Sequence, residues 1–354
     1  MSEPINELRS RIDALDAELL KLLNQRAQLA REIGRLKNGA VYRPEREAQV
    51  LRRLKQLNGG PLSAEVVERL FVEIISACRA LEQPLTVAYL GPEGTFSEES
   101  AIKRFGSSAE RMPCPSIDEV FRAVESRHAH YGVVPVENST EGAVGRTLDL
   151  LLQTPLKVCG EIMLQVHQTL LFNGDSLAEV KRVYSHPQSF AQCQQWLASN
   201  LRHAERVTAP SNAEAARLAS GEPGAAAIAS RRAGSRFQLK VFVENIEDDP
   251  RNTTRFLVIG PEDAGISGND KTSLVMSATN RPGAMRDLLE PFARRQIDLT
   301  RLESRPSRTG LWEYVFYVDI KGHREEPQVA TALAEVGEKA SLLKILGSYP
   351  CARD

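Results

Sequence analysis

An apolar stripe near the N-terminus constrains this chain more than any other feature. Ile5, Leu8, Ile12, Leu15, Leu19, Leu22, Leu29, Ile33 and Leu36 recur in steps of three and four with one interruption, a period that marks one face of a single long helix. The interrupted slot holds Arg26. A guanidinium cannot lose its charge, so a buried seam is a costly place for it unless an anion meets it there. The helix is expected to begin near Ser2 and Pro4 and to stop at Asn38-Gly39. At 1.5 Å per residue it would be about 50 Å long, against about 30 Å for a compact domain of about 80 residues. Its own chain cannot cover such a stripe, but an intertwined dimer of three-helix units can.

Two more helices follow, one from Pro44 and one from Ser63 to Glu82, split by Asn58-Gly59-Gly60-Pro61, so residues 1–83 read as an all-α unit. Pro84 closes it. Residues 85–262 follow a different grammar: TVAYLGPEGTFSEESA, HYGVVPVENSTEGAVG and VKRVYSHPQSFAQC each run from a β-branched strand through a polar or Gly-rich turn towards a helix start. That is an α/β region, and N–H groups at such helix starts suit an anion. After the polar tract PEDAGISGND, residues 271–354 run strand (TSLVMSA), helix (about Gly283 to Arg294), strand (DLTRLES), strand (WEYVFYVDI), helix (about Pro327 to Lys339), strand (LKILGSY). This βαββαβ order is that of a ferredoxin-like α+β sandwich.

Forty-five basic residues against 46 acidic ones leave a net charge of −1 over 354 residues, so no global field points to nucleic acid or an anionic membrane. Local clusters must meet any anion. The five cysteines are scattered without a CxxC pair, the six histidines form no ligand-like spacing, and no Gly-rich loop has the Walker pattern, so neither metal nor nucleotide nor other cofactor is expected. No apolar run reaches the ~18 residues of a membrane span, and MSEPINELRS does not read as a signal peptide. A reducing cytoplasm is the expected compartment.

Arg26 and Lys37 are 11 residues apart, which leaves them about 20° apart round the helix and facing one pocket. Arg9 lies 17 residues from Arg26, about 100° round and about 25 Å along, out of reach of its own chain's pocket but available to a neighbour's. Arg46 and Glu47 of RPERE open the second helix. Any one of these charges alone reads as a solvated face. Together, with no acid in register, they read as the wall of a site for a compact dianion.

At this point the sequence resembles the helical chorismate mutases, through LRSRIDALD, Arg26, Lys37 and the Arg46-Glu47 pair. GPEGTFSEESA, VVPVENSTEGAV, YSHPQSFAQC, NTTRF and ESRP extend the likeness end to end to the bifunctional chorismate mutase/prephenate dehydratases with a C-terminal ACT domain. The fold this implies is multidomain: an all-α three-helix mutase forming an intertwined dimer, an α/β two-lobed dehydratase like a periplasmic binding protein, and a ferredoxin-like ACT domain. For the mutase the resemblance implies that Arg26 and the partner's Arg9 hold the carboxylates of chorismate, Arg46 organises that site, Lys37 donates to the ether oxygen and Glu47 accepts from the ring hydroxyl. Arg43 stands where the family usually has an acid, so that contact is expected from backbone. Cys78 and Glu82 stand where Ser and Gln are common. A carboxyl donates only when protonated, so burial is expected to keep Glu82 protonated and mutase turnover to fall as pH rises.

For the dehydratase the resemblance makes Thr254 the donor to the departing hydroxyl of prephenate, Arg255 a carboxylate ligand and Phe256 packing beneath. Asn138, Ser139, Ser185, Gln188 and Gln192 would line the cleft, with Thr95 and Ser97 facing them. His186 reads as a turn-former. In the last segment Asn280, Gly283, Ala284 and Met285, with Glu303, Ser304 and Arg305, match the motifs that bind L-phenylalanine between two such domains, which implies feedback inhibition. A homodimer or higher homo-oligomer is expected. Two other readings remain: a ligand sensor on a helical stalk, and a dehydratase whose mutase half has degenerated. A stalk needs neither Arg26 with Lys37 nor Thr254-Arg255-Phe256.

Overall fold

The computed structural model describes residues 5–36, 42–278, 281–306 and 314–352. The N-terminal part is α1 (Ile5–Leu36), α2 (Pro44–Leu57) and α3 (Ala64–Glu82). Proline at the first position of α2 has the φ a helix start requires. Ser63 caps α3 by accepting from the Val66 N–H. α1 lies along α3 yet has no buried residue: Leu15 is 64% and Leu36 84% exposed. The apolar stripe is therefore bare within one chain.

The middle of the chain forms two lobes. Lobe 1 takes β1 (Thr86–Leu90), α4 (Phe96–Phe105), β2 (Glu110–Cys114), α5 (Ile117–Glu125), β3 (Tyr131–Asn138), β4 (Gly142–Ala143), α6 (Gly145–Gln153) and β5 (Lys157–Gln165). Lobe 2 takes β6 (Thr169–Leu171), β7 (Arg182–Ser185), α7 (Pro187–Gln192), α8 (Gln194–Asn200), β8 (Glu205–Thr208), α9 (Asn212–Ser220), β9 (Ala225–Ala229), α10 (Arg231–Phe237) and β10 (Val241–Val243). The chain then returns to lobe 1 as β11 (Thr253–Gly260), inserted between β3 and β5 and antiparallel to both. The sheets run β2-β1-β3-β11-β5, with β4 beside β3, and β10-β6-β9-β7-β8. The two connecting segments pair with each other, Val166 N–H to Asn252 O at 2.8 Å and Ile246 N–H to Gln168 O at 2.9 Å.

The last part is β12 (Asp270–Ser277), α11 (Ala284–Arg294), β13 (Leu299–Pro306), β14 (Tyr314–Lys321), α12 (Pro327–Lys339) and β15 (Leu342–Pro350). Its antiparallel sheet runs β13-β14-β12-β15, as the βαββαβ order requires. One face packs Leu274, Met276 and Val318 against Leu288, Phe292 and Val336 of the helices. The other puts Val275, Tyr317, Leu346 and Tyr349 into one core with Leu148, Val134 and Leu257 of lobe 1. The approach is close: a Cβ on Gly347 would sit 2.1 Å from Val158 O. Lys344 Nζ donates to Leu151, Leu152 and Thr154 carbonyls at 2.6–2.9 Å, a cation at the negative end of α6.

Lobe 1 is thus the centre of the molecule. On its opposite face Tyr42, 1% exposed, joins the core of Phe105, Tyr131 and Val258. Arg104 Nε donates to its hydroxyl at 2.6 Å. Among the described residues no helix is long and apolar enough to cross a membrane.

Candidate active sites

The helical part closes a pocket of about 260 Å³ lined by Arg26, Leu29, Ala30 and Ile33 of α1, Arg43, Arg46, Glu47 and Val50 around the start of α2, and Ile75, Cys78, Arg79 and Glu82 of α3. Six residues chosen from sequence, Arg26, Arg43, Arg46, Glu47, Cys78 and Glu82, meet there. Lys37 lies outside the described residues. Arg9 is exposed on α1 and does not line the pocket of its own chain. Arg79 was missed by sequence reasoning, although an arginine inside IISACRAL was a readable signal. Its guanidinium is buried, pairs with Glu47, and donates to Phe105 O at 2.7 Å. It also sits 5.3 Å from the centre of the Tyr42 ring, a cation–π distance. Glu47, one of the pocket's two acids, is therefore held by a cation of α3 that is itself tied to lobe 1.

The second site is a cleft of about 620 Å³ between the lobes. Thr95 and Ser97 enter from α4, Asn138 from the end of β3, Thr254 from β11, and Gln188 and Gln192 from α7. Asn138 and Thr254 sit at strand ends and the others at or near the starts of helices, where Thr95 caps α4 and Ser211 caps α9. His186 caps α7, its Nδ1 accepting from the Gln188 N–H at 3.3 Å, the turn-forming role expected of it. Sequence reasoning missed Gln168, Ser189, Asn212 and Asn252. Asn212 could have been found, since ERVTAPSNAEA repeats the strand, turn, helix grammar of the motifs already chosen.

The polar groups of this cleft form one directed chain. Asn138 Oδ1 accepts from the Thr140 and Glu141 N–H groups at 3.0 and 3.2 Å, so its Nδ2 is left to donate, and does so to Thr254 Oγ1 at 2.8 Å and Asn252 Oδ1 at 2.9 Å. Asn252 Nδ2 donates in turn to Gln192 Oε1 at 2.9 Å, which also accepts from Gln168 Nε2 at 3.0 Å. A hydroxyl that accepts from Asn138 keeps its own proton for another acceptor. Thr254 is thereby set up as a donor into the cleft.

Three residues chosen from sequence, Arg255, Ser185 and Ser139, are corrected. Arg255 does not face the cleft. Its guanidinium is buried and bonds Glu161 at 2.8–2.9 Å, Asp319 of β14, and the Tyr349 hydroxyl of β15 at 3.1 Å. Alternation along β11 explains this: Arg255 shares a face with Leu257 and Ile259, against the C-terminal sheet, whereas Thr254 shares one with Phe256 and Val258. Phe256 is buried in that second core, beneath the site rather than in it. Ser185 is fully buried and donates to Ile228 O and Asn212 Oδ1, both at 3.3 Å. Ser139 closes the ladder with Thr253, its N–H and Oγ bonding Thr253 O and N–H at 2.9 and 3.0 Å.

Among the cleft-lining residues described there is neither arginine nor lysine, and Glu214 is the charged one. The Arg217 hydrogen bond outweighs burial and holds the Glu214 carboxyl below its usual range. Of the expected effector residues, Gly283 caps α11 in the left-handed region at φ 80°, with Ala284 and Met285 following. Glu303, Ser304 and Arg305 lie on edge strand β13, and Arg305 reaches Asp149 of α6 at 3.2 Å. Asn280 lies outside the described residues. All five cysteines are free, and no group of three or more His, Cys, Asp or Glu among the described residues could hold a metal.

A cation-lined helical pocket and a two-lobed polar cleft without arginine or lysine among its described lining, on one chain with an attached ferredoxin-like domain, fit a two-site enzyme. Family models agree: chorismate mutase type II matches residues 8–83, prephenate dehydratase 87–264, and the ACT domain 272–338. The chain is 55% identical to a bifunctional chorismate mutase/prephenate dehydratase of Neisseria gonorrhoeae, over 99% of both chains. It is 49% identical to the same enzyme of Pseudomonas aeruginosa, over 99% of this chain and 98% of that one. A solved prephenate dehydratase from Arthrobacter aurescens in complex with L-Phe superposes with a TM-score of 0.69 and 33% identity, covering 75% of this chain and 90% of that one. The chain belongs to the family of bifunctional chorismate mutase/prephenate dehydratases. It has both activities, in phenylalanine biosynthesis.

Proposed function

We propose that the two activities divide between the two sites residue by residue, as follows. In the helical pocket a dianionic cyclohexadiene rearranges with no covalent intermediate, so the protein supplies position and charge complementarity. Arg26 and Arg46 hold its carboxylates with the partner chain's Arg9, Lys37 and Glu82 donate to the ether oxygen, and Glu47, steadied by Arg79, accepts from the ring hydroxyl. Cys78 packs alongside. The bare stripe of α1, exposed at Leu8, Ile12, Leu15, Leu19 and Leu22, supports a homodimer in which a second α1 covers it. The five free thiols suit a reducing cytoplasm.

In the cleft prephenate loses carbon dioxide as its ring hydroxyl departs. The electrons of the breaking bond to the carboxylate carbon enter the ring, and the hydroxyl takes a proton and leaves as water. Thr254, accepting from Asn138, donates to that hydroxyl; a threonine hydroxyl is a very weak acid, so net proton delivery runs through water. A described lining without arginine or lysine suits this step. A guanidinium clamped on the departing carboxylate would stabilise the ground state, whose charge is about to leave, more than the transition state. Thr95, Ser97, Gln188 and the N–H groups at the starts of α4 and α9 orient the dianion instead. The relative solved with L-Phe bound supports phenylalanine as effector at the C-terminal domain, with Gly283, Ala284, Met285, Glu303 and Ser304 as its contacts, alongside Asn280 and Arg305.

The observation that carries the dehydratase reading is the Asn138-to-Thr254 hydrogen bond. Asn138→Ala leaves the Thr254 proton without a set direction and is expected to lower the rate of phenylpyruvate formation by about tenfold or more while chorismate consumption continues. An unchanged phenylpyruvate rate would remove the assignment.

A further inference from the structure

Two adjacent strands present the reacting side of the dehydratase cleft, and both are held from behind by the regulatory sheet. β11 and β3 are in register with Thr254 opposite Asn138 and Arg255 opposite Glu137. Thr254 and Asn138 face the cleft. Their neighbours face the other way: Arg255 reaches Glu161, Asp319 and Tyr349, and Glu137 Oε2 lies 3.0 Å from Arg301 Nε of β13.

The cluster round Arg255 is closed and buried. Glu161, 3% exposed, also takes Lys271 Nζ at 2.9 Å and the Ala352 N–H at 2.8 Å. Asp319 takes the Ser273 hydroxyl, which is also bonded to that of Tyr349. Glu137 also lies 4.0 Å from Arg255, so three cations, Arg255, Lys271 and Arg301, balance three carboxylates, Glu161, Asp319 and Glu137. Such a neutral network holds one geometry, and removing a buried member strands its partners in low dielectric.

We propose that Arg255 is a positioning residue for dehydration: through Asp319 and Tyr349 the ACT sheet fixes the strand that aims Thr254 at the departing hydroxyl. Strand alternation makes the link direct, because a displacement of Arg255 towards the ACT sheet moves the adjacent Thr254 by the same backbone. A misplacement of ~1 Å at a catalytic group can cost as much as ~10²-fold in rate. Asp319 and Tyr349 do not line the cleft, so they reach the reaction only through the network.

The test uses the full-length protein without added effector. Asp319→Asn is expected to lower kcat for prephenate about tenfold with KM within about twofold, while mutase turnover on the same preparation stays at the wild-type level. Asp319→Glu, which keeps the charge, is expected to restore part of kcat. Should Asp319→Asn fold poorly, Tyr349→Phe removes a single hydroxyl and is expected to lower kcat about threefold. Wild-type kcat in folded Asp319→Asn or Tyr349→Phe would make the cluster structural only and overturn the proposal. A rise in KM with kcat intact would instead put these groups in substrate binding, and overturn it equally. The proposal rests on Thr254 as donor, and the two fail separately: an active Thr254→Ala sinks that reading, whereas an inactive Thr254→Ala with a wild-type Asp319→Asn sinks this one.

Discussion

Arg26 and Thr254 line two sites built by opposite means. Arg26 stands on a helix with no buried residue, in a pocket whose described lining carries four arginines: Arg26, Arg43, Arg46 and Arg79. Thr254 stands on a strand in the interior of a sheet, in a cleft whose described lining has no arginine or lysine and which lies between two lobes of the same chain. The contrast follows the chemistry. A rearrangement that keeps both carboxylates gains from fixed cations on them, whereas a decarboxylation gains from leaving one carboxylate unclamped. It also follows the packing: the cleft is walled by one chain, but the helical pocket lies on an apolar face that needs another surface to cover it.

The largest effects should separate the sites. Thr254→Ala is expected to lower dehydratase kcat by about 10²–10³-fold with mutase turnover intact, and Arg26→Ala to do the reverse, by a similar factor. Assaying chorismate loss and phenylpyruvate formation separately reads both, and a single change that abolishes both activities would break the two-site division. A smaller effect concerns how the helical pocket is tied to lobe 1. Arg79→Met leaves Glu47 without its cation, and mutase kcat/KM should fall about tenfold with dehydration unaffected; an unchanged mutase would make that link decorative.

Next comes the acid in the mutase pocket. Glu82→Gln offers an N–H donor in place of the carboxyl and is expected to keep mutase turnover, whereas Glu82→Ala is expected to lower it about fivefold. Wild-type mutase turnover in Glu82→Ala would exclude donation by Glu82. The smallest effect is on the closure of the cleft. Glu98 of α4 pairs with Arg232 of α10 across the lobes at 3.1 Å and accepts from the Gly94 N–H at 2.7 Å. Burial raises its carboxyl, but Arg232 and the Gly94 N–H outweigh that and hold it below its usual range. A folded value below the unfolded one stabilises the protein above the ordinary carboxylate pKa, and that contribution is lost as pH falls through the depressed value. Scanning calorimetry should show the unfolding midpoint dropping below about pH 4.5, with Glu98→Gln about 2–4 °C lower at neutral pH and less sensitive to acid. An equal acid response in the variant would acquit this pair.

Local grammar was readable in the residues, and the geometry of faces was not. Pro44, Ser63 and His186 mark helix starts by their own chemistry, and the βαββαβ order of the last segment needed only period and turn residues. Arg26 follows from helical spacing, because a face repeats every three to four positions, and Arg46 and Glu47 from the helix start in RPERE, whereas Arg43, Cys78 and Glu82 came from the family resemblance. NTTRF was recognised as a unit, but a strand alternates, so its threonine and arginine point to opposite sides of the sheet. Which side holds the cleft depends on β11 returning from lobe 2 to lie between β3 and β5, a pairing with no local signal. Arg255 was therefore assigned to substrate when its partners Asp319 and Tyr349 lie far along the chain. Ser185 and Ser139 were misassigned for a related reason, since a hydroxyl beside a helix start serves backbone as readily as a ligand.

The central claim is that the helical pocket is shared between two chains and the cleft is not. Arg9→Ala and Arg26→Ala chains, each nearly devoid of mutase activity alone, can be unfolded together and refolded as a mixture. If Arg9 serves the neighbour's pocket, each mixed dimer carries one intact pocket, and random pairing should restore about a quarter of wild-type mutase activity per chain, with dehydratase activity constant throughout. Mutase activity that stays at the level of the separate variants would contradict the account.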